Sequence, residues 1–282
     1  MTLPEIKNLF LQKLDSLYPE TEILSFFYLL LEHHFGTKKI ELALEPKLMR
    51  RKWPEKRFLE ALGQLLEERP IQYVVGHAEF AGLKFKVNEN VLIPRPETEE
   101  LVAWMLESID RSQPLRILDI GTGSGCIPIT LSLQIPSAEI HAVDISGEAL
   151  ELARENAQRL GAEVRFFNLD ILTVESLAEN YDVIVSNPPY VRLSEKNEMR
   201  GNVLKHEPDL ALYVQDEDPL LFYRKIAALG KGALTENGML FFEINENLAE
   251  PARETLSNLS YQSIEVRKDI YGKNRMIRAI KK

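Results

Sequence analysis

Cysteine and long apolar runs are scarce in this sequence, and basic residues are fewer than acidic ones. One cysteine, Cys126, occurs in 282 residues, so an intrachain disulfide is excluded and a reducing compartment is expected. No stretch approaches the roughly 20 apolar residues that span a bilayer, and the first residues show no signal-peptide pattern. We therefore expect a soluble, cytoplasmic protein without a membrane partner, and nothing in the sequence requires more than a monomer.

The net charge at pH 7 is −9, and it is unevenly distributed. Acidic and basic residues balance over residues 1–76, so all of the excess acid lies beyond them. Proteins that bind duplex DNA usually have a basic face, because phosphate contacts supply much of their affinity. We therefore expect no direct nucleic-acid partner. One basic cluster is either a solvated helix surface or a contact surface, and it comprises Arg50, Arg51, Lys52, Lys56 and Arg57.

The first two segments of the chain have different periodicities. Residues 1–75 place apolar side chains at helical spacing between prolines, which predicts a small helical bundle. In residues 76–95, apolar and polar side chains alternate from Leu83 to Val87 before a turn signal and a second apolar run, Val91–Ile93. This pattern predicts a connecting β-hairpin. Thr98, just beyond it, is expected to cap the next helix.

Strands alternate with helices in the last segment, residues 96–282. The expected strands are Arg116–Ile120, Glu139–Val143, Val164–Phe167, Asp182–Ser186, Met239–Ile244, Tyr261–Arg267 and Arg275–Ile280. The alternation is typical of an α/β fold with a mostly parallel sheet covered on both faces. Ligands bind such sheets at the carboxyl ends of the strands.

Two features that could suggest metal or nucleophile chemistry are weak. His33 and His34 have no acidic or sulfur partner at a metal-binding spacing, so we predict no metal site. Cys126 has no histidine nearby in sequence to activate it, and a small buried residue that packs a helix is the expected role.

A glycine-rich loop follows the first of these strands and predicts a nucleotide-like cofactor. The candidate binding residues are Asp119, Gly121, Thr122, Gly123, Ser124 and Gly125. Glycines between a strand and a helix allow close approach of a ligand to the backbone. Their GxGxG spacing differs from the GxGxxG of dinucleotide-binding proteins, which disfavours a nucleotide-dependent oxidoreductase. Asp119 could hold a cationic group of the cofactor or fix the loop through its backbone N–H groups.

Acidic residues end the next two expected strands. Asp144 lies where a carboxylate can accept hydrogen bonds from both ribose hydroxyls. The alternative is that Asp144 caps the following helix, a role for which Ser146 competes. Asp170 and Ile171 are placed to flank an adenine ring.

The tetrapeptide Asn187, Pro188, Pro189 and Tyr190 follows a buried strand and predicts the reaction type. Prolines donate no hydrogen bonds, so the nearby carbonyl groups stay available in a stiff turn. The Asn187 side-chain oxygen and the Pro188 carbonyl can accept hydrogen bonds from a planar amino group and favour positive charge on its nitrogen during attack on carbon. Tyr190 can pack against the flat group.

These motifs resemble those of the PrmC/HemK family, class I S-adenosylmethionine-dependent methyltransferases of peptide chain release factors. The resemblance extends over essentially the whole chain, and the segment Val91–Glu99 distinguishes this family from other amino-group methyltransferases. The matching segments are Pro70–Tyr73, Gly76, Glu79–Phe80, Gly82–Leu83, Val91–Glu99, Leu118–Gly125, Val143–Ser146, Val185–Tyr190 and Glu207–Pro208.

The resemblance implies a Rossmann-like seven-stranded sheet that binds S-adenosyl-L-methionine, and methylation of the glutamine N5 in a Gly-Gly-Gln motif of release factors. It assigns cofactor contacts to Gly121–Gly125, Asp144, Ile171 and Asn187, and contacts with the substrate amide to Asn187–Tyr190. The helical domain would help to dock the release factor. Three departures are Ile171, where some members have an aromatic residue, Tyr213–Pro219, where members often have a glycine-rich turn, and Asn245, where members often have glycine.

Three other functions remain as alternatives at this point. A DNA adenine-N6 or cytosine-N4 methyltransferase uses a similar turn, but it must hold a flipped base and contact phosphates, which the acidic catalytic segment disfavours. A non-catalytic module that binds the cofactor would not need to retain the amide-binding turn. A nucleotide-dependent oxidoreductase is disfavoured by the glycine spacing.

Overall fold

A computed structural model describes residues 1–198 and 201–282. The helices are α1 (Leu3–Leu14), α2 (Glu20–Phe35), α3 (Lys39–Leu44), α4 (Lys47–Arg50), α5 (Lys56–Leu66), α6 (Ile71–Val75), α7 (Pro96–Ser108), α8 (Cys126–Gln134), α9 (Gly147–Leu160), α10 (Gly201–His206), α11 (Asp209–Leu212), α12 (Leu221–Ala233) and α13 (Ala249–Asn258). The strands are β1 (His77–Phe80), β2 (Leu83–Lys86), β3 (Arg116–Ile120), β4 (Glu139–Asp144), β5 (Arg165–Asn168), β6 (Tyr181–Ser186), β7 (Val191–Arg192), β8 (Tyr213–Val214), β9 (Leu234–Glu243), β10 (Tyr261–Lys268) and β11 (Asn274–Lys281). Short 3₁₀ helices span Leu193–Glu198 and Glu246–Leu248.

The chain forms two compact units, of which the first is helical. It contains residues 1–76 together with α10. Its core is aromatic: the rings of Phe27 and Phe58 stack with centroids 5.8 Å apart, and Phe10 meets both edge-on. Gly36 ends α2 in the left-handed conformation (φ 65°), as a helix C-terminus often requires. The helical bundle is therefore built as the apolar periodicity predicts.

The second unit begins with a β-hairpin whose partners differ from the sequence prediction. β2 pairs with the preceding strand β1, in the register Phe80 with Leu83, and the segment from Val91 to Ile93 is not a strand. Ala81 and Gly82 both have positive φ, 49° and 74°, which is the two-residue turn that matches strand twist. The prediction placed the turn after β2 because the apolar alternation extends to Val87.

A seven-stranded sheet forms the centre of the second unit, in the order β10-β11-β9-β6-β3-β4-β5. β9, β6, β3, β4 and β5 run parallel, and β11 and β10 close the edge as an antiparallel pair. All of the strands expected in residues 96–282 are present, which confirms the predicted α/β fold. β9 starts earlier than predicted, at Leu234.

The order of the strands determines where a ligand can bind. β4 and β5 lie on one side of β3, whereas β6 pairs with its other side, so the direction of winding reverses between β3 and β6. Ligands of open α/β sheets bind in the crevice at such a switch point. The loops after β3 and β6 contain the glycine-rich sequence and the Asn-Pro-Pro-Tyr sequence, so both predicted motifs meet there.

One buried side chain joins the hairpin to this crevice. Asn156 of α9 accepts a hydrogen bond from Lys86 N (2.7 Å) and donates to the carbonyl oxygens of Lys86 and Ser124 (both 3.0 Å). The hairpin is thereby anchored to the glycine loop. Within the described parts of the chain, every helix is too short or too polar to span a membrane.

Candidate active site

A cavity of about 320 Å³ opens at the carboxyl ends of the central strands. Its walls come from the loops after β3, β4, β5 and β6, from the segment before α7, and from α11 and α12. Most of the predicted site residues line it: Gly121, Thr122, Gly123, Ser124, Asp144, Asp170, Ile171, Asn187, Pro188 and Pro189. Asp119, Gly125 and Tyr190 lie outside this lining. The crevice at the switch point is therefore large enough for a small molecule and brings the predicted motifs together.

Backbone hydrogen bonds to β4 shape the glycine loop. The N–H groups of Gly121 and Thr122 donate to the Val143 carbonyl oxygen (2.9 and 3.1 Å), and Gly123 N donates to Asp144 Oδ2 (2.8 Å). Gly121 and Gly123 have φ of 79° and 54°, where a side chain would be strained. Asp144, not Asp119, accepts the hydrogen bond that fixes the loop.

Gly125 has a packing role that differs from that of the other two glycines. It stands at the N-cap of α8 with φ 81°. A Cβ atom at this position would lie 2.8 Å from Ile129 Cδ1 and 3.2 Å from Ala153 Cβ. Glycine here allows α8 and α9 to approach closely, and a direct contact of Gly125 with a cofactor stays a prediction.

Three buried polar side chains at the loop lack well-formed hydrogen bonds in the described chain. Both carboxylate oxygens of Asp119 and the hydroxyls of Thr122 and Ser124 make no hydrogen bond of good geometry there. Thr122 still lies close enough to Asp119, and Ser124 to Cys126, to oppose the rise in pKa that burial causes in Asp119 and Cys126. Burial raises the pKa of Asp119 to about 7; the nearby Thr122 hydroxyl opposes this rise, and the Asp144 charge adds to it. Buried polar groups are usually paired, so these atoms fit a ligand that supplies donors and a positive charge. The ammonium and sulfonium groups of S-adenosylmethionine meet that requirement.

Asp144 is available to ribose hydroxyls because another residue caps the following helix. Ser146 is the N-cap of α9, and its hydroxyl accepts a hydrogen bond from Ala149 N (3.1 Å). Asp144 Oδ1 accepts from Ser146 N (2.9 Å), and each carboxylate oxygen has a further lone pair that can face the cavity. Burial raises the pKa of Asp144.

Ile171 and Asp170 form the wall on the β5 side. Ile171 is buried and contributes an aliphatic surface to the cavity. Asp170 Oδ1 accepts a hydrogen bond from Leu172 N (2.9 Å), so this carboxylate shapes the turn that presents Ile171. An adenine ring against Ile171 remains a prediction.

Cys126 also lines the cavity, and burial raises the pKa of its thiol to about 12. A thiol with such a pKa is protonated at neutral pH and is a poor nucleophile. The expectation of a small buried residue that packs α8 agrees with its 8% exposure.

The Asn-Pro-Pro-Tyr turn is held from behind by side chains that sequence reasoning did not assign to the site. Asn187 Nδ2 donates to Thr98 Oγ1 (3.2 Å), and the Thr98 hydroxyl donates to Glu243 Oε2 (2.6 Å). The Tyr190 hydroxyl donates to Glu243 Oε1 (3.0 Å). Thr98 is therefore not the cap of α7: the helix begins at Pro96, with Arg95 at the N-cap. The signal that could have identified Glu243 is a carboxylate at the end of an apolar central strand.

The carboxylate of Glu243 is fully enclosed, which affects both ionisable groups of the network. Burial raises the pKa of Glu243, opposed by the hydrogen bonds from Thr98 and Tyr190. Burial and the adjacent carboxylate raise the pKa of Tyr190 well above its ordinary value. Tyr190 is therefore a neutral donor, committed to Glu243 through its hydroxyl.

An ion pair braces the wall of the cavity before α7. Arg95 Nη2 lies 2.6 Å from Glu207 Oε1, and Glu207 Oε2 accepts from Ile93 N at 3.4 Å. The Glu207 side chain is 1% exposed and that of Arg95 32%. Because Arg95 also lines the cavity, it shapes the pocket and pairs with Glu207 at the same time.

Asn245, one of the departures from the pattern of the family that the sequence resembles, adopts extended backbone geometry (φ −62°). No left-handed conformation is needed at this strand exit. Its Nδ2 donates to the Tyr190 carbonyl oxygen and to Glu195 Oε2 (both 3.3 Å), while its Oδ1 accepts from Asn247 N. Asn245 therefore ties the Asn-Pro-Pro-Tyr turn to the following 3₁₀ helix.

Comparisons with known proteins agree with this geometry. A family model described as the methyltransferase small domain matches residues 99–208. The chain is 46% identical to a release factor glutamine methyltransferase of Flavobacterium psychrophilum, over 99% of both proteins. It is 41% identical to one of Bacteroides thetaiotaomicron, over 95% of this chain and 96% of the relative. A solved methyltransferase structure from Pyrococcus furiosus shares the fold, with a TM-score of 0.53 and 18% identity over 80% of this chain and 97% of that chain.

Proposed function

Since this chain belongs to the family of release factor glutamine methyltransferases, we propose that it methylates a release factor glutamine. The methyl group of S-adenosyl-L-methionine is transferred to the side-chain amide nitrogen N5 of the glutamine in a Gly-Gly-Gln motif. The observation that supports this function most strongly is the Asn187 amide, which lines the same cavity as the glycine loop. Cofactor-binding and amide-binding groups are thereby adjacent.

The cavity supplies the groups that S-adenosylmethionine requires. Asp119 would balance its positive charge, Asp144 would accept hydrogen bonds from its ribose, and Ile171 would pack against its adenine. The backbone at Gly121 and Gly123 leaves open space beside the loop, since a Cβ at either position meets no atom within 4 Å. When bound, S-adenosylmethionine supplies an electrophilic methyl group.

The Asn-Pro-Pro-Tyr turn compensates for the low nucleophilicity of an amide. The amide lone pair is delocalised, and hydrogen bonds from the glutamine N–H groups to Asn187 Oδ1 and the Pro188 carbonyl would favour the form with positive charge on nitrogen. Both acceptors are fixed before the reaction, so their reorganisation costs little. The hydroxyl of Tyr190 is occupied by Glu243, which leaves its ring to pack against the flat amide.

The direct test is transfer of labelled methyl from S-adenosylmethionine to purified release factor, with duplex DNA assayed in parallel. We expect label on the release factor and none on DNA, and roughly 100-fold slower transfer with the Asn187→Ala protein. Label on DNA would instead favour an adenine-N6 or cytosine-N4 methyltransferase. Cofactor affinity of Asn187→Ala, measured by calorimetry, separates loss of the amide contact from loss of cofactor binding.

We propose that the helical unit docks the release factor. The enzyme would act as a monomer and would not bind nucleic acid directly. Its basic cluster is solvent-exposed: Arg50, Arg51, Lys52, Lys56 and Arg57 all have exposed side chains. Arg51 stacks over the Trp53 ring at 5.0 Å, which fixes part of the cluster on the surface. Charge reversal at Arg50 and Lys52 is expected to raise KM for the release factor and leave cofactor affinity unchanged. An unchanged KM would remove the cluster from the docking surface.

A further inference from the structure

The buried carboxylate of Glu243 contacts both ends of the Asn-Pro-Pro-Tyr turn, one end directly and the other through a hydroxyl. Its Oε1 accepts from the Tyr190 hydroxyl, and its Oε2 accepts from Thr98, which in turn contacts Asn187. These four side chains come from α7, β9 and the loop after β6. The Glu243 side chain is almost completely inaccessible, at 1% exposure.

The direction of the hydrogen bonds follows from the chemistry of the carboxylate. Burial raises the pKa of Glu243, but the hydrogen bonds from Thr98 and Tyr190 and the positive charge of Arg275 oppose that rise and favour the ionised form. An ionised carboxylate has acceptors and no donor, whereas the Thr98 hydroxyl has a single hydrogen. At 2.6 Å that hydrogen must point at Glu243, so the lone pairs of the Thr98 oxygen can only accept. Asn187 must therefore face Thr98 with its NH₂ group, and its Oδ1 is the end left for the cavity.

This orientation is the one that a glutamine amide nitrogen requires. The glutamine NH₂ group has two donors, and a donor-bearing end of Asn187 in the cavity would repel it. A primary amide has nearly the same shape when it is rotated by 180°, so shape alone does not select the productive orientation. The hydrogen bond from the Thr98 hydroxyl to Glu243 selects the orientation in which Asn187 Oδ1 faces the cavity.

We propose that Thr98 and Glu243 are positioning residues that hold the Asn187 carbonyl oxygen toward the substrate glutamine. The inference rests on the proposed function and adds that a buried carboxylate, which does not touch the substrate, sets the polarity of the amide-binding site. Thr98 transmits that polarity to Asn187. Glu243 also fixes the Tyr190 ring, because it accepts the hydrogen bond from the Tyr190 hydroxyl.

Thr98→Val removes the hydroxyl and keeps the shape of the side chain, whereas Thr98→Ser keeps the hydroxyl. We expect Thr98→Val to lower kcat for release-factor methylation roughly 10- to 100-fold, since small errors in orientation have effects of this size. The calorimetric Kd for S-adenosylmethionine should stay within about twofold, as expected for a group that acts on the other substrate. Thr98→Ser should restore most of kcat. Thr130→Val is the matched control, because Thr130 is a buried threonine of the same unit that lies in α8.

Glu243→Gln tests the polarity directly. A glutamine at this position presents an NH₂ group to either Thr98 or Tyr190 and so removes the constraint that both must donate. We expect kcat to fall at least as far as in Thr98→Val, and Thr98→Val combined with Glu243→Gln to add little further loss, because both changes break one chain of contacts. If the losses in kcat of the two single variants multiply in the double variant, the two residues act independently, and the proposed series of hydrogen bonds is contradicted.

The outcomes distinguish this inference from the function on which it rests. If the wild-type protein leaves the release factor unlabelled, the proposed function is wrong. If the wild-type protein labels it and Thr98→Val keeps kcat within about twofold of wild type, only the positioning role is overturned. A loss of kcat that Thr98→Ser does not restore would also overturn it, since the hydroxyl would then not be the group that matters.

Discussion

Asp119→Asn is expected to stabilise the cofactor-free protein and to weaken cofactor binding, because the Asp119 carboxylate is buried with no hydrogen bond of good geometry in the described chain. Burial raises its pKa from 3.8 to about 7, so the folded state holds a proton that the unfolded state releases at lower pH. For a carboxyl group with a raised pKa, stability is greatest below the unfolded value. It falls as the pH rises from 3.8 to 7 and stays constant above that.

The size of the effect follows from this shift. At pH 8 the shifted pKa corresponds to an unfavourable contribution of up to about 4 kcal/mol, and roughly 2 kcal/mol of it develops between pH 5.5 and pH 8. Asparagine keeps the shape of the side chain and does not ionise. The difference in unfolding free energy between Asp119→Asn and wild type should therefore be larger at pH 8 than at pH 5.5 by roughly 2 kcal/mol.

The assay is urea denaturation of both proteins, without cofactor, at the two pH values. Asp182→Asn is the matched control, since Asp182 accepts hydrogen bonds from Arg116 N and the Thr235 hydroxyl. That change should not stabilise the protein. Calorimetry at pH 7 should show S-adenosylmethionine binding to Asp119→Asn roughly 10- to 100-fold more weakly, the usual range for a lost charged hydrogen bond. If Asp119→Asn lowers the unfolding free energy and leaves its dependence on pH unchanged, burial of the Asp119 carboxylate is not unfavourable and the reasoning is refuted. An unchanged affinity for S-adenosylmethionine would refute a contact between Asp119 and the cofactor.

Two further predictions concern stability. Gly125→Ala should lower the unfolding free energy by about 1–3 kcal/mol, because the new Cβ would lie 2.8 Å from Ile129 Cδ1 in a left-handed backbone. Gly232→Ala, in open space on α12, is its control and should be neutral or slightly stabilising in urea melts; equal effects of both changes would refute the packing role of Gly125. Arg95→Ala should cost about 1–2 kcal/mol, since it leaves the buried Glu207 carboxylate without its cation. The paired change with Glu207→Gln should recover part of that loss in a double-mutant cycle, and simple additivity would show that the two groups do not interact.

The fold was predictable from sequence because its periodicities are long and regular. Strand β3 and its neighbours are largely apolar runs between helical segments, and each run is followed closely by glycine or a polar residue. The partner of β2 was predicted wrongly for a local reason. The alternation that defines β2 continues to Val87, which suggested a turn after it, whereas the actual turn is Ala81-Gly82. Alternation identifies a strand, but only the positive φ of two turn residues selects its partner.

Side-chain pairing in the site was less predictable than its location. Asp119 lies near the end of β3, Asp144 ends β4, and each was given two candidate roles. Their order in the chain does not show which one meets the loop N–H groups. That depends on β4 lying beside β3, where Asp144 reaches Gly123 N. Thr98 has the sequence context of a helix cap, yet its partner Glu243 is 145 residues away. Contacts over such separations depend on how helix and sheet pack.

Mass spectrometry of a release factor after incubation with this protein and S-adenosylmethionine tests the central claim most directly. The account predicts one added methyl group on the glutamine of the Gly-Gly-Gln motif, located on the side-chain amide by fragmentation. A release factor whose glutamine is replaced should stay unmodified, as should wild-type release factor incubated with Asn187→Ala enzyme for the same time. A methyl group on another residue of the release factor, or none with the wild-type enzyme, would contradict the account.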